Sequence, residues 1–378
     1  MEEKESREYV VYLALYLLLA TSLVTVFVAT RGSGQHLAEK QLAWVVIGMG
    51  CLAMLRKIDY RHYANHAIGL YAGGILLLLA VFVVGRKING AISWIDLGVL
   101  NIQPSELTRL TTLLLLARLY EWNRGAFYRG EEVAKAVLLV LLPTSLVLLQ
   151  PDLGMALIYL SLLGCFLIMS RLSGFVHITY LMTTIGLVFS LYALHAFFPD
   201  LFFRVVRPHQ FERLLSFLDP EVDPLGSGYQ YIQARNVVGS GQLGGTGGLW
   251  VRTAFGANLP EQHTDFIFAV IAQQWGFLGA SFLLLLYFVL FYRLVGWALQ
   301  TPDLFAAFFI SGMVTLWSFQ VFVNIGMNIG LSPITGLTLP FISYGGSSMI
   351  SNLIAFGMLV SMRRPSPLWR LHPGIMKK

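Results

Sequence analysis

Long apolar runs separated by short polar segments dominate the sequence. A helix that crosses a bilayer needs about 20 mostly apolar residues. The runs predict helices over residues 9–30, 41–55, 64–85, 104–121, 133–149, 153–170, 174–197, 266–293, 304–330 and 346–362. The second of these is short and the fourth is polar at its start. We therefore expect an all-α integral membrane protein with about ten transmembrane helices, which form a single domain over residues 1–378.

The composition agrees with a membrane protein. Hydrophobic residues make up 56% of the chain and charged residues only 12%, whereas a soluble domain carries roughly 25% charged residues. Cys51 and Cys165 lie in apolar stretches, and the eight histidines show no metal-ligand spacing. A disulfide framework and a zinc site are therefore not expected.

The distribution of lysine and arginine predicts the orientation. With the N-terminus inside, sixteen of these residues fall in the inner segments and four in the short outer loops. Short cytoplasmic loops are enriched in positive charge, so both termini, including the basic tail at 363–378, are predicted to be cytoplasmic. The net charge of +6 then follows mainly from topology, and we expect no nucleic-acid partner.

One outer segment, residues 198–265, is long enough to require its own explanation. Loops beyond about 15 residues tend to be functional or disordered, and apolar pieces in this segment predict that it folds back against the bundle. Its arginines are either ordinary solvated or headgroup-contacting charges, or a binding surface for an anionic ligand, because guanidinium suits phosphate oxygens. The candidates are Arg204, Arg207, Arg213 and Arg235.

The same segment contains a glycine-rich string, Gly239-Ser240-Gly241-Gln242-Leu243-Gly244. It matches the dinucleotide fingerprint as letters, but that fingerprint needs a βαβ unit, and no such unit fits here. We expect no organic cofactor. The string either presents N–H groups to a phosphate or allows a tight turn.

Carboxylates stand at three predicted helix starts on the outer side. Asp152 and Asp265 are each suited to capping a helix N-terminus, and Glu106 with Arg109 forms an (i, i+3) pair that is most simply a structural ion pair. Capping is the commoner explanation for each acid alone. Together with the arginine-containing loop, however, they indicate a site at the outer face, because ionisable groups at membrane depth are costly.

Several motifs resemble those of the SEDS family (shape, elongation, division and sporulation), over residues of about 40–362. The matching strings are Asn89-Gly90-Ala91 with Trp94, Gln103-Pro104-Ser105-Glu106, Gln150-Pro151-Asp152-Leu153-Gly154, Phe217-Leu218-Asp219-Pro220, Pro260 to Ala269, Pro333-Ile334-Thr335-Gly336 and Leu339 to Ser348. Within the family, Pro260 to Asp265 and the Asn89 loop are more similar to the elongation member, RodA, than to the division member, FtsW.

The resemblance implies a peptidoglycan glycosyltransferase that polymerises lipid II into glycan strands at the outer face of the bacterial cytoplasmic membrane. It implies that Asp265 is the essential acid, either as a general base or as a ligand of Mg²⁺ or Mn²⁺. Asp152 and the Glu106–Arg109 pair would line or brace the cavity. Further candidates for the cavity are Trp94, Glu261, His263, Ser343, Ser347 and the four arginines of the long loop. Lipid II, the growing glycan strand and a class B penicillin-binding transpeptidase are the implied partners.

The chain departs from the family pattern in three places. Arg109 replaces the usual lysine, Thr246 replaces a loop lysine, and Gln273 and Gln274 replace two acids. These changes leave room for a specialised or less active paralogue, including a division or sporulation form.

Two other functions stay open. A flippase for the lipid-linked precursor would carry polar groups through the bilayer middle, and Gln273, Gln274 and Asn324 would then line its path. A non-catalytic scaffold for a transpeptidase is the third interpretation. The one-sided placement of the Gly/Pro motifs favours chemistry at one face.

Overall fold

A computed structural model describes residues 2–31, 36–88, 91–96, 98, 101–125, 130–170, 172, 174–200, 203, 208–223, 226–247 and 259–363. Most of these residues are helical. The helices are α1 (Glu2–Thr30), α2 (Leu37–Leu55), α3 (Tyr60–Asn65), α4 (Ala67–Val84), α5 (Pro104–Trp122), α6 (Gly130–Leu149), α7 (Leu153–Met169), α8 (Gly174–Phe197), α9 (Pro208–Leu218), α10 (Ser227–Ser240), α11 (Ile267–Gln300), α12 (Leu304–Ile329) and α13 (Gly346–Arg363).

Each of the ten predicted segments is occupied by a helix. Six helices are long and apolar enough to cross a membrane, namely the part of α1 from Glu8, and α2, α4, α6, α11 and α12. The apolar helix α7 is shorter. The chain is therefore a multi-pass helical membrane protein.

The all-α prediction was wrong for the segment between α4 and α5. This segment forms a small antiparallel sheet of β1 (Arg86–Ile88), β2 (Ala91–Asp96) and β3 (Asn101–Ile102), in that order. In its register Ile95 is opposite Ile102. The β-branched and aromatic residues of β2 favour a strand, and β2 packs on α4 and α5, which places it at the ends of these helices that border the cavity described below.

The long segment after α8 folds back on the bundle, as predicted. It contains α9, a short 3₁₀ turn (Pro220–Val222) and α10. Helix α10 packs on α11 and α12, and the Tyr231 hydroxyl donates a hydrogen bond to the Gly330 carbonyl at 2.9 Å. The segment therefore covers the start of α11.

Helix α11 is broken at Gly276, which has φ 64° and ψ −162°. The break frees backbone groups, and a membrane environment leaves such groups no water to bond. The glycine-rich segment bonds to them: the N–H of Phe277 donates to Gln242 O at 2.8 Å, and that of Thr246 donates to Gln273 O at 2.9 Å. A β-carbon at Gly245 would lie 2.2 Å from Gln274 O, so the glycines allow this close packing. Their role is a tight structural turn rather than a phosphate cradle.

Helices α5 and α12 form the centre of the bundle and are buried over most of their length. Close approach depends on small residues, as is usual between membrane helices. A β-carbon at Gly312 would lie 2.3 Å from Leu113 Cδ1.

The end of the bundle opposite the cavity is held by charge pairs. Arg61 forms ion pairs with Glu121, at 2.5 Å, and with Asp303. Asp303 also caps α12 by accepting from the Ala306 N–H at 2.9 Å. These contacts join the start of α3 to the end of α5 and the start of α12, and they fix the helices that carry the site at their other ends.

Candidate active site

A cavity of about 410 Å³ opens between the start of α7, α9, the loop before α11 and the loop between α12 and α13. Three carboxylates and one guanidinium line it, from Asp152, Glu261, Asp265 and Arg213. Trp94 of β2 forms part of the wall. The wall formed by α7 and α9 is apolar, with Leu153, Leu157 and Leu214. The cavity therefore combines acidic, cationic and apolar surfaces in one space.

The backbone around Asp265 is fixed at three successive carbonyls. His263 O accepts from Tyr344 N at 2.9 Å, and Thr264 O accepts from the Ser343 hydroxyl at 2.6 Å. Asp265 O accepts from the Asn324 amide at 2.9 Å. Donors from two different parts of the chain therefore determine where the Asp265 carboxyl lies.

The Asp265 carboxyl itself receives no hydrogen bond from any residue that the structure describes. The pKa of Asp265 is raised to about 7. Burial is the largest cause and the charge of Glu261 the next, while Arg213 lowers the pKa and Asp152 raises it. A carboxyl with a pKa near 7 exchanges protons readily at neutral pH, which is what a general base or acid requires.

Asp152 serves both of the roles considered from the sequence. Its Oδ1 accepts from the Met155 N–H at 3.0 Å and so caps α7, and its Oδ2 accepts from the Gln103 side chain at 2.9 Å. Burial raises the pKa of Asp152 to about 6, the cap bond lowers it, and the charge of Glu106 raises it. Asp152 is thus a capping residue that also faces the cavity.

Arg213 and Asp265 face each other across Gly336. A β-carbon at Gly336 would lie 3.6 Å from Asp265 Oδ2 and 3.7 Å from Arg213 Nη1. Within the described residues, the Arg213 guanidinium forms no ion pair or hydrogen bond. Because glycine has no side chain, Gly336 leaves a gap between the Asp265 carboxyl and the Arg213 guanidinium.

The Glu106–Arg109 pair lies beneath the cavity and does not line it. Arg109 Nη2 is 2.6 Å from Glu106 Oε2, and both side chains are almost completely buried. Arg109 also donates to Gln320 at 2.8 Å and to Asn352 at 2.9 Å. The pair therefore braces the bundle between α5, α12 and α13, and substrate does not reach it from the cavity in this conformation.

Other predicted site residues also lie outside the lining. Ser343 is buried and bonds to Thr264 O and Leu339 N, while Ser347 is buried and accepts from Gln103 N at 3.1 Å. The His263 ring packs on Tyr344 at 5.5 Å, and burial lowers its pKa. These three residues support the wall from behind.

The arginines of the long loop also differ in whether they line the cavity. Arg235 is exposed and its guanidinium lies over the Tyr231 ring at 5.9 Å, away from the cavity. Arg204 and Arg207 lie outside the described residues. Of the two loop arginines that the structure describes, Arg213 lines the cavity and Arg235 does not.

Several cavity residues were missed as individual candidates, although they belong to the quoted motifs. They are Gln103, Thr264, Thr335, Thr338, Tyr344 and Ser348. Neutral polar side chains carry no charge signal in a sequence, and only the fold shows which of them face the same space.

The carboxylates do not converge as a complete metal site: among the described residues no group of three or more histidine, cysteine, aspartate or glutamate side chains could hold an ion. Mg²⁺ commonly uses only one or two carboxylates together with substrate phosphates and water. The Asp265 carboxyl, which accepts no hydrogen bond from the described residues, fits a metal site of this kind, in which the protein supplies one or two ligands.

Comparison with known proteins identifies the family of the chain. A family model described as cell cycle protein, for FtsW, RodA and SpoVE, matches residues 7–366. The peptidoglycan glycosyltransferase MrdB of Escherichia coli strain K12 is 37% identical over 352 residues, which are 92% of each chain. Stage V sporulation protein E of Bacillus subtilis is 33% identical over 380 residues, 96% of this chain and 99% of the relative.

Solved structures match equally broadly. A chain from a peptidoglycan synthase complex that coordinates polymerization and crosslinking has a TM-score of 0.75 and 34% identity, over 94% of this chain and 96% of that one. The crystal structure of Thermus thermophilus rod shape determining protein RodA gives a TM-score of 0.67 and 32% identity, over 94% and 95% of the two chains. The chain therefore belongs to the FtsW, RodA and SpoVE family of cell cycle proteins, which is the SEDS family that its motifs resemble.

Proposed function

We propose that this chain is a shape-determining peptidoglycan glycosyltransferase that polymerises lipid II. Curated relatives from Escherichia coli and Treponema pallidum carry the name peptidoglycan glycosyltransferase. The observation that carries the proposal is the pairing of Asp265, whose pKa is raised to about 7, with Arg213 on the other side of the Gly336 gap.

The reaction uses these two groups in different ways. A hydroxyl oxygen of one glycan attacks the anomeric carbon of the other, and the bond from that carbon to the lipid diphosphate oxygen breaks. Asp265 takes the hydroxyl proton as general base. The diphosphate leaves with the electron pair of the broken bond, and the Arg213 guanidinium stabilises the negative charge.

The remaining lining residues bind and orient. Trp94 presents a flat face for a sugar ring, and the hydroxyls of Thr264, Thr338 and Ser348 face the cavity as hydrogen-bonding groups. The apolar wall of Leu153, Leu157 and Leu214 suits a lipid-linked substrate. A bound Mg²⁺ or Mn²⁺ would supply charge neutralisation at the diphosphate, with Asp265 as its protein ligand.

The proposed topology has ten spans, both termini in the cytoplasm and the cavity at the outer face of the cytoplasmic membrane. The excess of lysine and arginine on the opposite side supports it. A class B penicillin-binding transpeptidase is the proposed partner, since a structural relative is part of a complex that coordinates polymerization and crosslinking.

Nothing in the described residues favours the flippase. The Asn324 amide hydrogen-bonds to loop carbonyls, and the Gln273 side chain donates to Ser240 at 3.3 Å. These polar groups therefore stabilise the fold rather than line an open path.

The test is polymerisation of lipid II by the purified protein, with and without the transpeptidase. We expect glycan chains from the wild type, and a loss of about 10²–10⁴-fold in Asp265→Asn, as is typical when a general base is removed. Arg213→Gln should lower kcat, whereas Arg235→Gln, in an exposed position of the same segment, is the matched control and should not.

Two outcomes would overturn the proposal. If the wild type with its partner makes no glycan, the enzyme assignment fails and a scaffold remains. If vesicles containing the protein translocate lipid II and Asp265→Asn retains that activity, the flippase is supported.

A further inference from the structure

One buried amide joins two of the loops that line the cavity. Asn324 lies on α12 and is completely buried. Its Nδ2 donates to Asp265 O at 2.9 Å and to Leu337 O at 2.7 Å. The first carbonyl belongs to the loop that carries the acid, and the second lies next to Gly336. A single nitrogen therefore holds the backbone of both loops.

Neighbouring polar side chains on α12 do not duplicate this contact. Asn328, one turn further on, donates to Asp265 O at the longer distance of 3.3 Å and accepts from Ala269 N at 3.1 Å. Gln320, one turn earlier, accepts from Arg109. The Ser343 hydroxyl also joins the two loops, through Thr264 O and Leu339 N. Among the described side chains, however, only Asn324 bonds both Asp265 O and Leu337 O.

The two carbonyls that precede Asp265 O are held by other donors, so a change at Asn324 affects the position of Asp265 selectively. Ser343 and Tyr344 hold Thr264 and His263, so these residues stay in place when Asn324 is changed. Asp265 is the point at which this loop is attached to α12. Loss of the amide would leave two buried carbonyls with fewer donors, which is costly, and the loops would separate at the Gly336 gap.

We infer that Asn324 is a positioning residue, which sets the position of the Asp265 carboxyl relative to the cavity wall at Gly336. The inference rests on the proposed function for its catalytic consequence. Asn324 lies behind the backbone and touches no substrate, so it acts on the transition state through Asp265. Displacement of a reacting group by about 1 Å costs on the order of 10²-fold in rate.

The charged groups around the Asp265 carboxyl remain when Asn324 is changed. They are Glu261 on the same loop, Arg213 on α9 and Asp152 at the start of α7. A fall in kcat on substitution of Asn324 therefore follows from the position of the carboxyl and not from the loss of a charged group.

The experiment compares Asn324→Leu with the wild type, because leucine fills the space without donating. We expect kcat to fall by about 10²-fold, with KM for lipid II changed by less than about threefold. Ser332→Ala is the matched control, since Ser332 is also buried near the end of α12 and donates one bond, to Val323 O at 2.9 Å. It should leave kcat unchanged.

Hydrogen exchange provides a measurement that does not depend on activity. Asn324→Leu should increase exchange of the amides in residues 265–269 and 337–339 together, whereas Ser332→Ala should not. Unchanged kcat and unchanged exchange would overturn the inference, and so would an increase in KM at constant kcat. If the wild type makes no glycan, the proposed function fails, and the exchange experiment still decides whether Asn324 joins the loops.

Discussion

Replacement of Asp265 by asparagine should stabilise the folded protein while it abolishes activity. The carboxyl has a pKa of about 7 in the fold against an ordinary value of 3.8, so the folded protein binds this proton more tightly than the unfolded chain does. The ionised form is therefore unfavourable in the fold. Asparagine has nearly the same shape and never ionises.

The size of the effect follows from the two pKa values. Their difference corresponds to about 4 kcal/mol at pH 8, since each pH unit is worth about 1.4 kcal/mol. We expect about 2–4 kcal/mol of stabilisation, because the denatured protein is not fully solvated. The free-energy cost of ionising Asp265 in the folded protein increases as the pH rises above about 4, and it becomes constant above about 7. The stabilisation of Asp265→Asn relative to the wild type should show the same dependence on pH.

The assay is thermal unfolding in detergent between pH 5 and pH 8. The difference in Tm between Asp265→Asn and the wild type should increase with pH and amount to several degrees at pH 8. Asp219→Asn is the control, since Asp219 is exposed and caps the short 3₁₀ turn through Glu221 N at 3.1 Å, and its difference should be small and independent of pH. A difference for Asp265→Asn that is flat with pH, or a more stable wild type at pH 8, would refute the reasoning.

Three further changes test other parts of the site. Gly336→Ala should reduce kcat/KM by about 10²-fold, because Gly336 has φ 76° and its new methyl group would enter the gap. Glu261→Gln removes a charge that raises the pKa of Asp265, so the acidic limb of kcat/KM should move to lower pH. Arg109→Leu should destabilise the protein by about 3–5 kcal/mol, because it leaves the buried Glu106 carboxylate without its partner; thermal unfolding measures this loss.

Each of these changes has a control. Gly98→Ala introduces the same kind of backbone strain, at φ 87°, where a β-carbon meets nothing within 4 Å, and it should preserve activity. Glu212→Gln, at an exposed position on α9, should not move the pH limb. The double variant Glu106→Gln, Arg109→Leu should recover part of the lost stability; equal instability of the single and double variants would argue against the buried charge as the cause.

Much of the fold could be predicted because the bilayer is a demanding solvent. Backbone groups in hydrocarbon must bond internally, so every long apolar run becomes a helix, and all ten predicted segments are helical. The sheet at Ala91–Asp96 was missed because it is short and lies between helices. The break at Gly276 was missed because the apolar run continues through it, and only contact with the glycine-rich segment satisfies its backbone groups.

The sequence by itself determined which residues carry charge and where helices begin, and this was enough to select Asp152 and Asp265. It could not determine which charges meet. Arg109 and Arg213 are both cavity candidates from the sequence, but the first is buried between helices and the second lines the cavity. Tertiary packing decided this, because the energy of a charge depends on its distance to other charges and to water, and those distances come from helices far apart in the chain.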